Sequence, residues 1–256
     1  MKRSLILLYG VACYAVFFAT FLYAIGFIGN LWVPKAMDSA RDTGVAAAVL
    51  IDLGLLALFA LQHSVMARPA FKRAWTRIIP ESAERSTYTL LSSLALILLF
   101  WLWRPIDGVV WNVQNETARI ALYVAYASGW ALLLYTTFLL NHFDLFGLRQ
   151  VWLQFRGRPY TPLPFKTPTL YRWVRHPLYV GWLVIFWATP TMTVTHLLFA
   201  LMTTAYILIA IRFEERDLVA ALPEYDEYRK RVPMLVPGTR RRESRSVRVP
   251  ARRPAG

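Results

Sequence analysis

Two polar clusters bracket an apolar stretch near the C-terminus of this 256-residue chain. Residues 175–181 read Arg-His-Pro-Leu-Tyr-Val-Gly, and the second cluster begins at the adjacent carboxylates Glu214 and Glu215. Polar groups cost several kcal/mol in hydrocarbon unless they are paired or face a polar cavity. Two such clusters at the mouth of one apolar hairpin therefore predict a ligand site.

The first cluster has the residue types of a helix start that can bind an anion. Pro177 suits the first turn of a helix, and the preceding His176 is restricted towards extended geometry. Gly181 allows a ligand or a neighbouring backbone to approach closely, and free N–H groups at the helix start suit a carboxylate. The alternative is a membrane-entry motif, in which Arg175 binds lipid headgroups and Tyr179 lies in the interface.

The second cluster combines two acidic side chains with flanking basic ones. Negative charge at the end of the last apolar segment opposes the helix dipole, so Glu214 and Glu215 need compensation. Arg212 and Arg216 can provide it in a solvated charge cluster. Alternatively, the carboxylates accept hydrogen bonds from the hydroxyls of a ligand ribose, or they bind a positively charged ligand.

The composition of the whole chain is that of an integral membrane protein. Hydrophobic residues make up 57% of it, including 15 Phe, 13 Tyr and 10 Trp, too many for a soluble domain of this length. The net charge of +14 does not indicate nucleic-acid binding, because the basic residues lie between apolar runs and in a tail. The single cysteine, Cys13, rules out an intrachain disulfide and a cysteine-based metal cluster.

Hydropathy predicts an all-α polytopic transmembrane helix bundle with about five to six membrane segments. The last two segments are near the lower length limit for a span, so we expect a hairpin, with Pro190 bending or ending its first arm. Whether this hairpin crosses the bilayer or re-enters it stays open. The apolar segments are 5–32, 45–61, 88–103, 120–140, 178–195 and 197–211.

Basic residues are concentrated in alternate loops, which predicts the orientation of the chain. The positive-inside rule places both termini and both polar clusters on the cytoplasmic side. Residues 144–153 are expected to form an amphipathic helix along that surface, and 158–168, with four prolines, an extended connector. A single domain, 1–239, is followed by a basic, disordered cytoplasmic tail at 240–256.

The C-terminal part resembles the isoprenylcysteine carboxyl methyltransferase and phospholipid methyltransferase superfamily. The similarity rests on residues 175–182, the glutamate pair after the hairpin, and Glu-Tyr-Asp-Glu-Tyr-Arg-Lys-Arg-Val-Pro at 224–233. It covers about residues 140–237 and implies that these motifs flank bound S-adenosylmethionine, the methyl donor, with no metal. The implied cofactor-binding residues are Arg175, His176, Tyr179, Gly181, Glu214, Glu215, Tyr225 and Tyr228.

The N-terminal half resembles the narrower nurim family. The similarity is carried by Gln-His-Ser-Val-Met-Ala-Arg at 62–68, Pro-Glu-Ser-Ala-Glu-Arg-Ser-Thr-Tyr at 80–88 and Asn-His-Phe-Asp-Leu-Phe-Gly-Leu at 141–148. Some bacterial members of this family methylate a small thiol. The resemblance therefore implies transfer of a methyl group to methanethiol, giving dimethyl sulfide, with hydrogen sulfide as a further candidate acceptor.

A thiol acceptor needs a base or a cationic stabiliser, because the thiolate is the nucleophile and an alkane thiol has a pKa well above neutrality. The candidates predicted on the cytoplasmic side are His63, Glu84, and the pair His142 and Asp144. A histidine and an aspartate two residues apart can share a hydrogen bond that raises imidazole basicity. The alternative is that each histidine caps a helix or anchors it at the interface.

Together these features predict a multi-pass enzyme of the bacterial cytoplasmic membrane that contacts lipids and a small volatile thiol. No nucleic acid and no obligate protein partner are indicated. The sequence leaves two rival functions open. One is methylation of another lipophilic acceptor, such as a prenylcysteine or a phospholipid amine, and the other is a non-catalytic membrane scaffold.

Overall fold

The structure is a computed structural model that describes residues 2–163 and 167–238. Its regular structure in these residues is helical except for one short antiparallel pair of strands, β1 and β2. The helices are α1 Lys2–Gly29, α2 Val45–Ala67, α3 Pro69–Trp75, α4 Glu81–Leu102, α5 Glu116–Leu139, α6 His142–Leu145, α7 Leu148–Phe155, α8 Pro177–Trp187, α9 Val194–Ala221 and α10 Pro223–Arg231. The strands are β1 Val109–Asn112 and β2 Thr191–Thr193, and a 3-10 turn covers Thr169–Arg172.

Five of the described helices, namely α1, α2, α4, α5 and α9, are long and apolar enough to cross a membrane. Each contains 22 to 28 residues, and a helix of that size is about 33 to 42 Å long, more than the ~30 Å hydrocarbon core of a bilayer. The chain is thus a multi-pass helical membrane protein, as its hydropathy predicts.

One end of the bundle, called the Lys2 end below, carries the first turns of α1 and α4 and the last turns of α2, α5 and α9. Side-chain contacts bring these turns together. The hydroxyl oxygens of Tyr9 on α1 and Thr87 on α4 are 2.9 Å apart. Arg68, just after α2, pairs with Asp217 near the end of α9 at 2.8 Å.

The opposite end of the bundle is closed by the antiparallel pairing of β1 with β2. This pairing also shows how far the last hairpin extends through the bundle. Helix α8 has only 11 residues and ends at Trp187, ahead of Pro190. The chain then continues to β2, where Thr191 lies opposite Asn112. Because β1 follows α4 at the opposite end, α8 and this short extended segment together traverse the bundle.

Helix α9 is longer than the predicted segment 197–211, because it continues to Ala221. Glu214 and Glu215 therefore lie inside the helix rather than at its end, and the argument that they oppose a terminal helix dipole does not apply. The charged residues beyond 211 continue the helix because Glu and Arg are good helix formers and because Glu215 and Asp217 are paired with arginines.

The predicted surface helix at 144–153 is also different in the structure. A break at Gly147, whose φ of +90° favours glycine, separates α6 from α7. Helix α7 packs between α1 and α4, and Val151 is fully buried against Gly10. Only its outer face, with Trp152, is exposed. Within 158–168, Pro164 lies outside the described residues, as does the predicted tail 240–256.

Candidate functional site

The first predicted cluster and the glutamate pair meet at the Lys2 end, where the start of α8 lies against α9. The Arg175 Nε atom donates to Glu215 Oε1 at 2.7 Å, and His176 Nε2 lies 2.9 Å from the same oxygen. All three side chains are largely buried, with exposed fractions of 11%, 5% and 12% for Arg175, His176 and Glu215. A buried carboxylate in this position is stabilised only because a cation and a ring nitrogen converge on it.

Arg175 also connects the site to the last helix. Its Nη1 atom donates to the carbonyl oxygens of Arg229 and Val232, at 2.9 and 2.6 Å, at the C-terminal end of α10. The backbone N–H groups of Arg175 and His176 donate to the carbonyls of Pro233 and Met234. Arg175 thus satisfies helix-end carbonyls that would otherwise lack partners, and it fastens α10 over the start of α8.

Glu214 has a different partner from its neighbour. The Tyr179 hydroxyl on α8 donates to Glu214 Oε2 at 2.9 Å. Each of the two adjacent carboxylates therefore uses one oxygen as an acceptor. Glu214 accepts from Tyr179 on α8, and Glu215 contacts Arg175 and His176 just before α8. Glu214 Oε1 and Glu215 Oε2 make no further hydrogen bond among the residues that the structure describes, so each retains acceptor capacity for a ligand.

The predicted tyrosines Tyr225 and Tyr228 lie on α10 and are both buried. Their ring centroids are 5.5 Å apart, and the Tyr228 hydroxyl donates to the Tyr171 carbonyl at 2.6 Å. Burial raises the pKa of Tyr228 to about 12 and also raises the pKa of Tyr225. Both phenols are therefore neutral at physiological pH, and Tyr225 lies within electrostatic range of Glu215.

Gly181 lies within α8 at its contact with α5. A Cβ atom placed there would be 3.1 Å from the Gly129 carbonyl oxygen and 3.2 Å from Leu133 Cβ. This approach of two helices needs a residue without a side chain. The structure accounts for Gly181 by helix packing.

Replacing Gly181 with alanine should destabilise the protein by about 1 to 3 kcal/mol, because the added methyl group meets backbone that cannot rotate away. The measurement is the thermal unfolding midpoint in detergent. Gly54→Ala is the matched control, because no described atom outside its own stretch of helix lies within 4 Å of a Cβ at that position. Equal midpoints for the two variants would contradict the packing assignment.

His63 lies in the last two turns of α2, against α4. Its Nδ1 atom is 3.2 Å from Ser92 Oγ, and the Tyr88 hydroxyl is 3.0 Å from Nδ1 and 2.9 Å from Nε2. The neighbouring Ser64 contacts the Tyr206 hydroxyl on α9 at 3.0 Å. His63 as a whole residue is partly exposed.

The His63 region and the glutamate pair belong to one neighbourhood. Tyr206 and Tyr88 both lie within electrostatic range of the Tyr179 phenol, whose hydroxyl binds Glu214. The polar side chains of α2, α4, α8 and α9 therefore converge just inside the Lys2 end.

His142 has a different environment. Its Nε2 atom is 2.8 Å from the Tyr14 hydroxyl, and its Nδ1 atom is 2.8 Å from Thr137 Oγ1, so both ring nitrogens are engaged by α1 and α5. Asp144 pairs instead with Arg149 at 2.8 Å and accepts from Tyr160. Among the described residues, His142 and Asp144 do not form the hydrogen bond that their spacing would allow. The α6 turn directs the two side chains to different partners.

The pH dependence of stability should reveal the His142 environment. Burial lowers the pKa of His142 below its ordinary value, so the folded state binds a proton less readily than the unfolded state. The stability gained from neutral His142 is therefore complete above the unfolded pKa of about 6.5 and decreases as the pH falls. The unfolding midpoint of the wild type should fall more steeply than that of His142→Gln between about pH 7 and pH 5. Parallel curves would contradict this expectation.

Glu84 lies half-buried in the first turn of α4. It is within electrostatic range of Lys72 on α3 and of Tyr88, one turn further along α4. This position is adjacent to the His63 region.

Several side chains of this neighbourhood are not among the site candidates predicted from the sequence, namely Tyr88, Ser92, Tyr206, Arg68 and Asp217. A signal was available for two of them. Tyr88 and Ser92 are four residues apart, so they share one face of a largely apolar helix. Tyr206 is a single tyrosine in an apolar run. Its sequence position gives no sign of a site, because its contact with Ser64 on α2 appears only in the tertiary structure.

No group of three or more His, Cys, Asp or Glu side chains in the described parts of the chain is arranged to hold a metal ion. In the site, Arg175 and His176 converge on Glu215, and Tyr179 donates to Glu214. Hydrogen bonding to an organic ligand is the chemistry that such an arrangement can support.

The fold and this cluster define a multi-pass helical membrane protein with buried, charged side chains at one end. Comparison with known proteins adds the family. The model of the NnrU protein family matches residues 51–214, and this chain belongs to that family. No solved structure matches the chain.

Several curated proteins are similar over nearly the full length. A protein of Crocosphaera subtropica named methanethiol S-methyltransferase is 58% identical over 93% of this chain and 93% of its own length. A protein of the same name from Mycobacterium tuberculosis is 55% identical over 93% of this chain and 98% of its own length. Mouse nurim is 31% identical over 84% of this chain and 86% of its own length, which confirms the resemblance to the nurim family.

Proposed function

We propose that this protein transfers the methyl group of S-adenosylmethionine to methanethiol, giving dimethyl sulfide and S-adenosylhomocysteine. The observation that carries the proposal is the convergence of Arg175 and His176 on Glu215, beside the contact of Tyr179 with Glu214. Relatives named methanethiol S-methyltransferase, 48 to 58% identical to this chain, support the same acceptor.

The residues present fit the methyl donor. Glu214 and Glu215 each keep one oxygen without a further hydrogen bond among the described residues, and carboxylate oxygens suit ribose hydroxyls or the cationic groups of S-adenosylmethionine. Helix α8 starts at Pro177 and directs its first-turn N–H groups to the same region, which suits a carboxylate. We assign Tyr225 and Tyr228 to the wall that shields this region from water.

S-adenosylmethionine, when bound, supplies a methyl group already activated on a sulfonium sulfur. The protein therefore has three tasks, which are to orient the donor, to exclude water and to take the proton of the thiol. Glu214 and Glu215 orient the donor, and Arg175 and His176 hold Glu215 in place. Helix α10, fastened by Arg175, covers the region.

Among the candidates for the base, we favour His63. It contacts Tyr88, which lies within electrostatic range of Tyr179. Both ring nitrogens of His142 are engaged by Tyr14 and Thr137, so we assign His142 to the packing of α1, α5 and α6. We assign Asp144 to the ion pair with Arg149, which in turn binds Thr161. We assign Glu84 an electrostatic effect on Tyr88.

We place the Lys2 end in the cytoplasm of a bacterial cell, because the basic loops lie at this end and because the methyl donor is a cytoplasmic metabolite. A small apolar thiol needs no aqueous channel, since it can enter from the lipid between the helices. No protein partner is required by this arrangement.

The acceptor is tested by headspace gas chromatography of cells that express the chain and are fed methanethiol. We expect dimethyl sulfide above the level of cells with an empty vector. Calorimetry on purified protein tests the donor separately, and we expect saturable binding of S-adenosylhomocysteine. Binding without dimethyl sulfide would indicate another acceptor, and absence of binding would show a non-catalytic protein.

A further inference from the structure

The polar side chains around His63 come from two helices and do not cap either of them. His63 lies inside α2, whose last residue is Ala67, so it does not cap the helix end. Tyr88 and Ser92 reach it from α4, and Phe59 stacks on it with ring centroids 5.2 Å apart. Three sides of the imidazole are therefore covered.

The two contacts from α4 act on different parts of the ring. The Tyr88 hydroxyl is almost equidistant from Nδ1 and Nε2, at 3.0 and 2.9 Å. In the ring plane such a position would collide with the carbon between the two nitrogens, so the hydroxyl lies over one face of the imidazole. Ser92 approaches Nδ1 at 3.2 Å, and among the described residues no hydrogen-bonding group lies in the ring plane at Nε2.

This edge is close to the proposed donor site. Tyr206, which contacts Ser64, and Tyr88, which contacts His63, both lie within electrostatic range of the Tyr179 phenol. The rings of Phe59 and Tyr206 approach edge to face at 6.4 Å and narrow the space beside the imidazole. The ion pair of Arg68 with Asp217 joins α2 to α9 on the Lys2 side of this space.

We propose that the acceptor thiol binds at the Nε2 edge of His63, between α2, α4 and α9, and that Tyr88 and Ser92 are positioning residues for it. The inference rests on the proposed function and adds the acceptor site to it. We expect these aromatic walls to favour a short, uncharged thiol over a long-chain one.

The step balances without any further reactant. His63 Nε2 takes the proton of the S–H group, and the sulfur electron pair forms the new bond to the methyl carbon. The bond from that carbon to the donor sulfur breaks, and its electrons stay on that sulfur, which becomes a neutral thioether. The sulfonium charge is thus replaced by the charge of protonated His63, which then releases its proton to water.

The test compares Tyr88→Phe and Ser92→Ala with the wild type, using purified protein, methanethiol and S-adenosylmethionine. Each change removes one polar contact of the imidazole, which is a hydroxyl over the ring face for Tyr88 and a hydroxyl at Nδ1 for Ser92. A contact of this kind is worth about 1 kcal/mol, so we expect kcat/KM for the thiol to fall about fivefold or more. The affinity for S-adenosylhomocysteine and the unfolding midpoint should stay at the wild-type values. Tyr9→Phe is the matched control. It also removes a tyrosine hydroxyl that contacts α4, but this hydroxyl contacts Thr87 on the side of α4 that faces α1.

The outcomes separate this inference from the proposed function. Reduced kcat/KM in both variants, with intact binding of S-adenosylhomocysteine and a normal Tyr9→Phe control, supports the acceptor site. Unchanged kcat/KM in both variants overturns it, as does a loss that only follows a loss of stability. If Tyr88→Phe does not fold, Ser92→Ala decides alone. A wild type that binds S-adenosylhomocysteine but methylates butanethiol as fast as methanethiol overturns the size limit, and a wild type that methylates no thiol refutes the proposed function itself.

Discussion

Replacing Glu215 with glutamine should weaken the binding of S-adenosylhomocysteine about 30-fold or more, corresponding to a loss of about 2 kcal/mol. The amide has the shape of the carboxylate but no charge, so the largely buried Arg175 guanidinium loses its counter-ion. An uncompensated buried charge is costly. The same change should loosen α10, because Arg175 is the group that holds the end of that helix.

The measurement for Glu215→Gln is isothermal calorimetry with S-adenosylhomocysteine on purified protein. Glu224→Gln makes the same chemical change on an exposed carboxylate of α10, and its affinity should equal that of the wild type. His176→Ala should weaken binding in the same direction, since it removes the second partner of Glu215. If Glu215→Gln and His176→Ala both bind with wild-type affinity, the donor site lies elsewhere.

Replacing His63 with alanine should lower methyl transfer to methanethiol by about 100-fold or more, the usual contribution of a general base. The affinity for S-adenosylhomocysteine should be unchanged, because the donor residues lie on α8 and α9. Without an internal base, only thiolate already formed in solution can react. The residual activity should therefore rise about tenfold for each pH unit below the pKa of the thiol.

The pH dependence distinguishes a lost base from a damaged fold. Initial rates between about pH 6 and pH 9 should rise more steeply for His63→Ala than for the wild type. Added imidazole should restore part of the activity at neutral pH. His142→Gln is expected to lose stability without acquiring the steep pH dependence. Full activity of His63→Ala at neutral pH would show that another group activates the thiol.

Much of the architecture follows from local properties of the sequence. Long apolar runs have to become helices in a membrane, because every backbone N–H and C=O group must find a partner within the chain. The positions of α1, α2, α4, α5 and α9 are predictable for this reason. The meeting of the Arg175 cluster with Glu215 was predictable too, because loop charges and the intervening hairpin place both clusters at the same end.

Other features depend on contacts between distant parts of the chain. Helix α9 continues to Ala221 because partners at 68, 175 and 176 neutralise its charged turns. These partners are far from α9 in the sequence, so the length of the helix could not be predicted from the sequence. Likewise, His142 and Asp144 look like a hydrogen-bonded pair, but Tyr14 on α1 takes the imidazole. Which partner a polar side chain selects is set by the neighbouring helix.

By itself, the sequence determined which segments enter the membrane, their order, and the end at which Arg175 and Glu215 meet. The tertiary structure alone decided which face of each helix turns inward, and hence that Tyr88 and Ser92 surround His63. The physical reason is that lipid is as apolar as a protein core, so hydropathy does not distinguish the buried face from the lipid-facing one. Rotation about the helix axis is set by close packing, as between Gly129 and Gly181.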